Sequence, residues 1–380
     1  MRVAVLNRSF SRTGGGAESY SVAVVTELAR HHEIHVFSQE TDEPVSGVSY
    51  HRIACISPKP RWVNQLLFAV LTWWKTRAGF DIVHSHENTW HGQVQTIHVR
   101  TVHHNLFHHP GIWRKCLGWL QVVLSPRLLT YVLLEASRFR NAADRQIVMA
   151  SDLLKVECQA VFPNCTLAQW TTIAPGVTLP EVPTDVAHFR KEMGLPVDVP
   201  LILFVANDYA RKGLGTLVQA LARMNGNVHL AVAGHTGQKA HFQALATEFG
   251  VGLRVHFLGP LADLSPAYFS ADVLAHPTRE DSYGMVVLEA MAHRLPVIVS
   301  NAMYCGVASD LTHQKNSFIL ENPSDASELA ELLQGVLSMA PPSLASLKAN
   351  AFNFAVVHSW HAVALKYDAI YQQVFSQAKA

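Results

Sequence analysis

Residues 276–292 read His-Pro-Thr-Arg-Glu-Asp-Ser-Tyr-Gly-Met-Val-Val-Leu-Glu-Ala-Met-Ala. An apolar run ends at His276, a polar loop carries Glu280 and Asp281, and Gly284 opens a helical pattern with Glu289 about one and a half turns into it. Ionised carboxylates are pure hydrogen-bond acceptors, so one on a loop and one on the following helix can address different parts of a single extended ligand rich in hydroxyls. The blander alternative is a charge favoured by the helix dipole plus a solvated glutamate. Glu289 lies among apolar neighbours, which speaks against it.

Two further stretches suit phosphate. Arg211-Lys212-Gly213 follows the apolar run Leu201 to Ala206 and precedes a helical pattern. Arginine can grip two phosphate oxygens and lysine adds a point charge. Alternatively, the pair is a solvated basic turn. Near the start, Arg12-Thr-Gly-Gly-Gly-Ala-Glu18 follows the apolar run Val3 to Leu6 and leads into an amphipathic pattern from Glu18 to Arg30. Backbone N–H groups at such a helix start receive an anion while glycine lets it come close. The segment lacks the G-x-G-x-x-G spacing and the GK[ST] ending of the familiar nucleotide loops, and a tight strand-to-helix turn uses the same residues.

Those residues need strands to carry them. Short apolar runs at Ile34 to Phe37, Asp81 to His84, Val94 to Val99 and Gln146 to Ala150 alternate with helical-length segments. The pattern restarts at Leu201 and continues through Val228 to Ala233, Val255 to Leu258, Val273 to His276 and Val297 to Ser300. Such alternation builds parallel, doubly wound sheets, and ligands lie outside the carboxyl ends of their strands. The sequence therefore predicts an α/β protein of two Rossmann-like domains with parallel sheets facing across a cleft. Prolines crowd residues 163–200, placing a linker near Gly176 to Pro183. The expected domains are residues 1–180 and 181–360, with the amphipathic tail 361–380 packing back on the first.

The chain has 380 residues, 49% of them hydrophobic and 16% charged, which is a packed globular composition. Thirty basic and 29 acidic side chains sum to +1, so a generally cationic nucleic-acid binder is excluded. The sum conceals 17 basic against 12 acidic residues in 1–180 and 13 against 17 in 181–380. Five scattered cysteines read as reduced core thiols. A charged, glycine-rich start and the lack of long uncharged apolar runs argue against secretion and membrane spanning, so a cytoplasmic location is expected.

Eight of the 22 histidines fall between His84 and His109. His84 and His86 alternate like strand residues with both rings on one face, compatible with a metal pair. His103-His104 and His108-His109 are adjacent pairs, and apart from Glu87 no acidic or thiol residue joins the histidines at ligand spacing. Ligand contact by one or two rings is the better reading, and no metal site is expected.

At this point the sequence resembles the retaining, nucleotide-sugar-dependent glycosyltransferases of family 4, which have the GT-B fold. The family's E-x7-E element is matched by Asp281 to Gly284 through Glu289, with support from Gly14 to Glu18, His98, Pro175-Gly-Val, Arg211 to Gly213 and Ala233-Gly-His. Phe204 to Gly213 and Glu135 to Gln146 look closest to the lipopolysaccharide core glucosyltransferase I branch, which uses UDP-glucose. The resemblance implies that Glu289 holds the ribose hydroxyls and Asp281 those of the donor sugar. Arg211 and Lys212 would neutralise the diphosphate, with the Gly15-Gly16 backbone beside it, and His98 would sit near the sugar. Asp281, Arg211, Lys212 and His98 are thus the expected catalytic set; Gly15, Gly16, Glu280, Gly284, Met285, Val286 and Glu289 are the expected donor-binding set. Configuration would be retained by front-face attack, with the departing phosphate taking the acceptor proton and no metal cofactor. Two residues depart from the pattern: Asp281 stands for the first Glu, where Glu280 can compensate, and Asn207 stands for a frequent Arg.

On the acceptor side, residues 59–77 hold four cations, no acids and three tryptophans, and residues 100–145 hold seven cations against two acids with Trp113 and Trp119. Cationic, tryptophan-bearing amphipathic segments suit an anionic lipid surface or lipid-linked acceptor; buried helices with a wet rim look the same. The expected function is transfer of a hexose to a cell-envelope glycan or lipid-linked acceptor such as lipopolysaccharide core, by an enzyme peripheral to the cytoplasmic membrane. Glucose from UDP-glucose is the leading donor. The rivals are a UDP-N-acetylhexosamine epimerase on the same fold and a catalytically silent scaffold subunit.

Overall fold

The computed structural model describes residues 1–11, 16–42, 44–56, 59–107, 111–183 and 186–379. The chain forms two units, Met1–Gly176 with Trp360–Ala380, and Val177–Ser359. Val177 N–H donates to the His358 carbonyl at 2.7 Å, which ties the start of the second unit to its end.

Unit 1 is built on β1 (Arg2–Leu6), β2 (Ser9–Phe10), β3 (Glu33–Ser38), β4 (Glu40–Thr41), β5 (Val48–Arg52), β6 (Ile82–Ser85), β7 (Val94–Ile97), β8 (Gln146–Met149) and β9 (Gln169–Thr172). Seven of these make one sheet in the order β5-β3-β1-β6-β7-β8-β9, every neighbouring pair parallel; β2 and β4 form a small separate pair. Strands β6, β7 and β8 are buried at every residue, as a sheet covered on both faces requires. One face is closed by the helix Gly16–Leu28 and the last helix, Trp360–Lys379. Val363, Tyr367, Ile370, Tyr371 and Val374 of that last helix share a core with Val3, Val5, Val24 and Val25.

Unit 2 repeats the plan with β10 (Leu201–Val205), β11 (His229–Ala233), β12 (Val255–Gly259), β13 (Val273–His276), β14 (Val297–Ser300) and β15 (Phe318–Leu320). The order is β12-β11-β10-β13-β14-β15, again parallel throughout. Chain order reverses direction between β10 and β13, so the loops after these two strands flank the switch point where doubly wound sheets bind ligands.

Three sheet strands lie outside the apolar runs: β5, β9 and β15. Each is an outer strand of its sheet. An outer strand has a half-solvated environment, so β5 (Val-Ser-Tyr-His-Arg) and β9 (Gln-Trp-Thr-Thr) carry no continuous apolar run.

Candidate functional site

The site of unit 2 is assembled by two loops pressed together. Gly213 has φ +84°, and a Cβ there would lie 2.0 Å from the Pro277 carbonyl oxygen. Only glycine permits both the left-handed turn and this approach. Arg279 N–H donates to the Arg211 carbonyl at 3.0 Å, fastening the loops a second time. The contact carries Lys212 to the end of β13, where its Nζ donates to Asp281 Oδ2 at 2.5 Å and to the Glu280 carbonyl at 2.9 Å.

Asp281 is held from all sides. Its backbone N–H donates to Tyr304 and its carbonyl accepts from Gly306, pinning it to the loop after β14. His276, 1% exposed, places Nε2 3.0 Å from Oδ2, and Tyr283 N–H donates to Oδ1 at 3.3 Å. Burial by itself would raise the Asp281 carboxyl, but the His276 hydrogen bond and the Lys212 charge outweigh it and hold the group well below the usual carboxylate range. Burial lowers His276 more than Asp281 raises it, so the imidazole is neutral at pH 7. The side chains of Lys212 and Asp281 are 15% and 20% exposed, leaving both within a ligand's reach.

Gly284, at φ +97°, starts the helix Met285–Ala292; a Cβ on it would approach Cys305 Sγ to 2.8 Å. First-turn N–H groups, those of Met285 and Val286 among them, have no acceptor inside a helix and are available to an anion. Further along, Glu289 Oε2 accepts from the Tyr268 hydroxyl at 2.7 Å. Burial pushes the Glu289 carboxyl up, partly offset by that hydrogen bond.

Among the described residues, one trio of metal-ligating side chains draws together: His276, Asp281 and Cys305, with ligand atoms within 4.8 Å of one another. The cation already seated beside Asp281 is the Lys212 ammonium. Burial pushes the Cys305 thiol well up, away from the thiolate that a metal would need.

In unit 1, β6 and β7 end in a set of stacked histidines. His84 spends both ring nitrogens, at 2.7 Å each, on the Tyr371 hydroxyl and Thr96 Oγ1. It is a satisfied core residue, not half of a metal pair. Thr96 continues to Tyr367, which meets Tyr20, each link 2.9 Å. Next to this chain, His86 Nδ1 lies 3.0 Å from His98 Nε2 with the rings parallel, 6° apart. Burial, aided by the nearby Arg138 charge, pushes His98 down to about 3, so it is neutral at physiological pH. His86 and His98 line a cavity of about 150 Å³ with Glu87, Asn88, Arg100 and Arg138.

The expected site residues therefore fall into two groups. Lys212, Glu280, Asp281, Gly284, Met285, Val286 and Glu289 share the strand ends of unit 2. Arg211 is at the same loop, but its half-exposed side chain leans on Asp208 at 3.6 Å. His98 belongs to unit 1, where Gly16 begins the helix Gly16–Leu28; Gly15, His108 and His109 lie outside the described residues. Sequence reasoning assigns no role to His276, Tyr268 or Cys305. His276 is visible as a polar residue ending an apolar strand, whereas Tyr268 carries no signal, being a tyrosine on a short helix 21 residues from its partner.

Comparison with known proteins agrees with this fold. Residues 14–161 match the family described as Glycosyltransferase Family 4, and residues 185–354 match Glycosyl transferases group 1. The lipopolysaccharide glucosyltransferase WaaG of Escherichia coli (strain K12) is 26% identical over 231 residues, which are 58% of this chain and 61% of that relative. The chain thus spans about three fifths of that relative's length. The crystal structure of WaaG, a glycosyltransferase involved in lipopolysaccharide biosynthesis, superposes with a TM-score of 0.79 at 22% identity, covering 97% of this chain and 99% of that one. Anabaena HepE in complex with UDP and glucose gives a TM-score of 0.71 at 18% identity, covering 98% and 99%. With two parallel-sheet units and both family models matched in order, the chain belongs to the group 1, family 4 glycosyltransferases of GT-B fold.

Proposed function

We propose that this protein is a retaining glycosyltransferase that moves glucose from UDP-glucose to a cell-envelope glycan or lipid-linked acceptor of the lipopolysaccharide core kind. The observation that carries the reading is the placement of Lys212 beside Asp281 at the switch point of unit 2, with Glu289 on the following helix. The WaaG relative and the UDP and glucose bound by the Anabaena protein support the choice of donor.

The chemistry follows from charge. The bond between the sugar carbon and the diphosphate breaks, a bond to the acceptor oxygen forms, and the acceptor proton leaves with the phosphate. Negative charge grows on the leaving group, and Lys212 and the N–H groups of Met285 and Val286 are donors fixed in advance of it, with the Arg211 side chain free to swing in from the same loop. Glu289, steadied by Tyr268, accepts from the ribose hydroxyls, and Glu280 and Asp281 attend the sugar. These side chains supply the stabilisation without a metal cofactor, so turnover should survive chelation.

Acceptor delivery is by peripheral contact with an anionic membrane. The helix Arg61–Thr76 buries Asn64, Gln65 and Phe68 and exposes Leu66, Val70, Trp73 and Trp74. The helix Ile112–Leu124 exposes Trp113 (85%), Leu117, Leu120 and Leu124 at helical spacing, with Lys115 also exposed. No single helix among the described residues is long and apolar enough to cross a membrane; one bent pair, Lys115–Leu124 with Pro126–Arg138, passes that test jointly.

The deciding assay is UDP release from UDP-glucose with and without a truncated lipopolysaccharide core acceptor. Acceptor-dependent release is expected. Release indifferent to acceptor would point to the epimerase rival, and nucleotide binding without release to a silent subunit. For the membrane contact, flotation with phosphatidylglycerol vesicles but not with neutral ones is expected; flotation indifferent to lipid charge would count against it.

A further inference from the structure

Among the buried groups of unit 2 that the catalytic reading leaves unused is His276. His276 closes β13, is 1% exposed, and touches the site only through Asp281. Its tautomer is fixed by its partner: an ionised carboxylate can only accept, so Nε2 carries the proton and donates to Asp281 Oδ2. The remaining nitrogen, Nδ1, is buried without a partner. A strand-end histidine that leaves one nitrogen unsatisfied is there for what the other nitrogen does.

What it does can be followed outward. Asp281 Oδ2 takes the His276 proton from one side and the Lys212 ammonium from the other, and Oδ1 takes the Tyr283 N–H. The carboxylate is thereby locked at both oxygens. Lys212 in turn has a second fixed acceptor, the Glu280 carbonyl at 2.9 Å. That carbonyl also accepts from Thr278 Oγ1 at 3.0 Å, and Thr278 is fully buried. A lysine ammonium on a flexible four-carbon stem has three donors and little intrinsic direction. Two acceptors rigidly held by the β13 loop supply that direction, and the third donor remains for a ligand.

We propose that His276 is a positioning residue: by clamping Asp281 it aims the Lys212 ammonium, so that Asp281 acts chiefly as the oriented counter-ion of Lys212. The shorter side chain at position 281, compared with the glutamate of the family pattern, fits this role, since it stays between His276 and Lys212. Asp281 therefore contributes less to sugar hydroxyl recognition than its position in the E-x7-E element implies. The inference deepens the proposed function, on which it rests for the identity of the ligand.

The test compares His276→Leu with His276→Gln, whose side-chain amide can donate near the position of the imidazole Nε2. Binding of UDP and of uridine is measured for each by calorimetry. With His276→Leu, UDP affinity should fall about tenfold while uridine affinity stays within about twofold, and His276→Gln should restore most of the UDP affinity. Equal losses for both ligands in His276→Leu, or a His276→Gln variant no better than His276→Leu, would overturn the proposal in favour of a packing role. A second arm needs no nucleotide. In a crystal structure of ligand-free His276→Leu, the Lys212–Asp281 contact should open; a contact kept within about 3 Å would overturn the proposal even if the donor proved not to be UDP-glucose.

Discussion

The two units solve the same problem with opposite electrostatics. Each carries histidine at the end of a buried central strand: His84 and His86 flank Ser85, the last residue of β6, and His276 closes β13. In unit 1 the partners are Tyr371, Thr96 and, beyond them, Tyr367 and Tyr20, all neutral hydroxyls that can both donate and accept. The result is an uncharged network in which burial drives His84 and His98 down to about 3. In unit 2 the partner is a carboxylate with a lysine on its other side, and a charge pair survives at the strand end. The residue type is the same; the group across the hydrogen bond decides whether the strand end carries a neutral network or a charge pair. In the proposed function the charged strand end serves the diphosphate of the donor.

This contrast breaks most sharply at Lys212. Lys212→Ala should lower turnover by about two orders of magnitude, the cost of one lost transition-state donor. Unchanged steady-state kinetics would remove unit 2 from the charge-handling role.

Next in size is the hinge of that arrangement. Gly213→Ala adds a Cβ at a left-handed φ and against the Pro277 carbonyl. A loss of about 2 kcal/mol or more in the stability of unit 2 is expected, with UDP binding lost as well. All eight tryptophans lie in unit 1, so the two units can be watched separately: far-UV circular dichroism should show the loss while the tryptophan transition stays in place. A tryptophan transition shifted by the same amount would mean that the units do not respond independently.

The smallest effect concerns acid, and its sign follows from linkage. His84 and His98, and His91 at about 4, bind protons more weakly folded than unfolded, where a histidine titrates near 6.5. The stability they allow is complete above about pH 6.5 and is lost progressively as pH falls from there towards 4. The tryptophan-detected melting temperature of unit 1 should drop by several degrees between about pH 6.5 and pH 5. A flat profile over that range would show that these rings are not held neutral by burial.

Much of this anatomy is legible in the order of the residues. Val3 to Leu6, Leu201 to Ala206 and Val273 to His276 announce central parallel strands, because a strand buried on both faces must be apolar throughout. Outer strands such as Val48–Arg52 carry no such mark. The E-x7-E spacing places Asp281 and Glu289 on one loop-helix element, since both lie within a single local segment. The Tyr268 support of Glu289 is invisible there, because it depends on two helices meeting after the chain has crossed a whole strand.

Hydrophobic periodicity and short motifs are local properties, so residue order dictates the two-unit fold and marks the residues proposed to bind the diphosphate. The protonation and orientation of those residues come from packing. Burial beside hydroxyls and arginine holds His84 and His98 neutral, and the meeting of three loops turns Asp281 inward onto Lys212 and His276. A side chain's charge state depends on its desolvation and on the nearest opposite charge, and both come from residues distant in the chain.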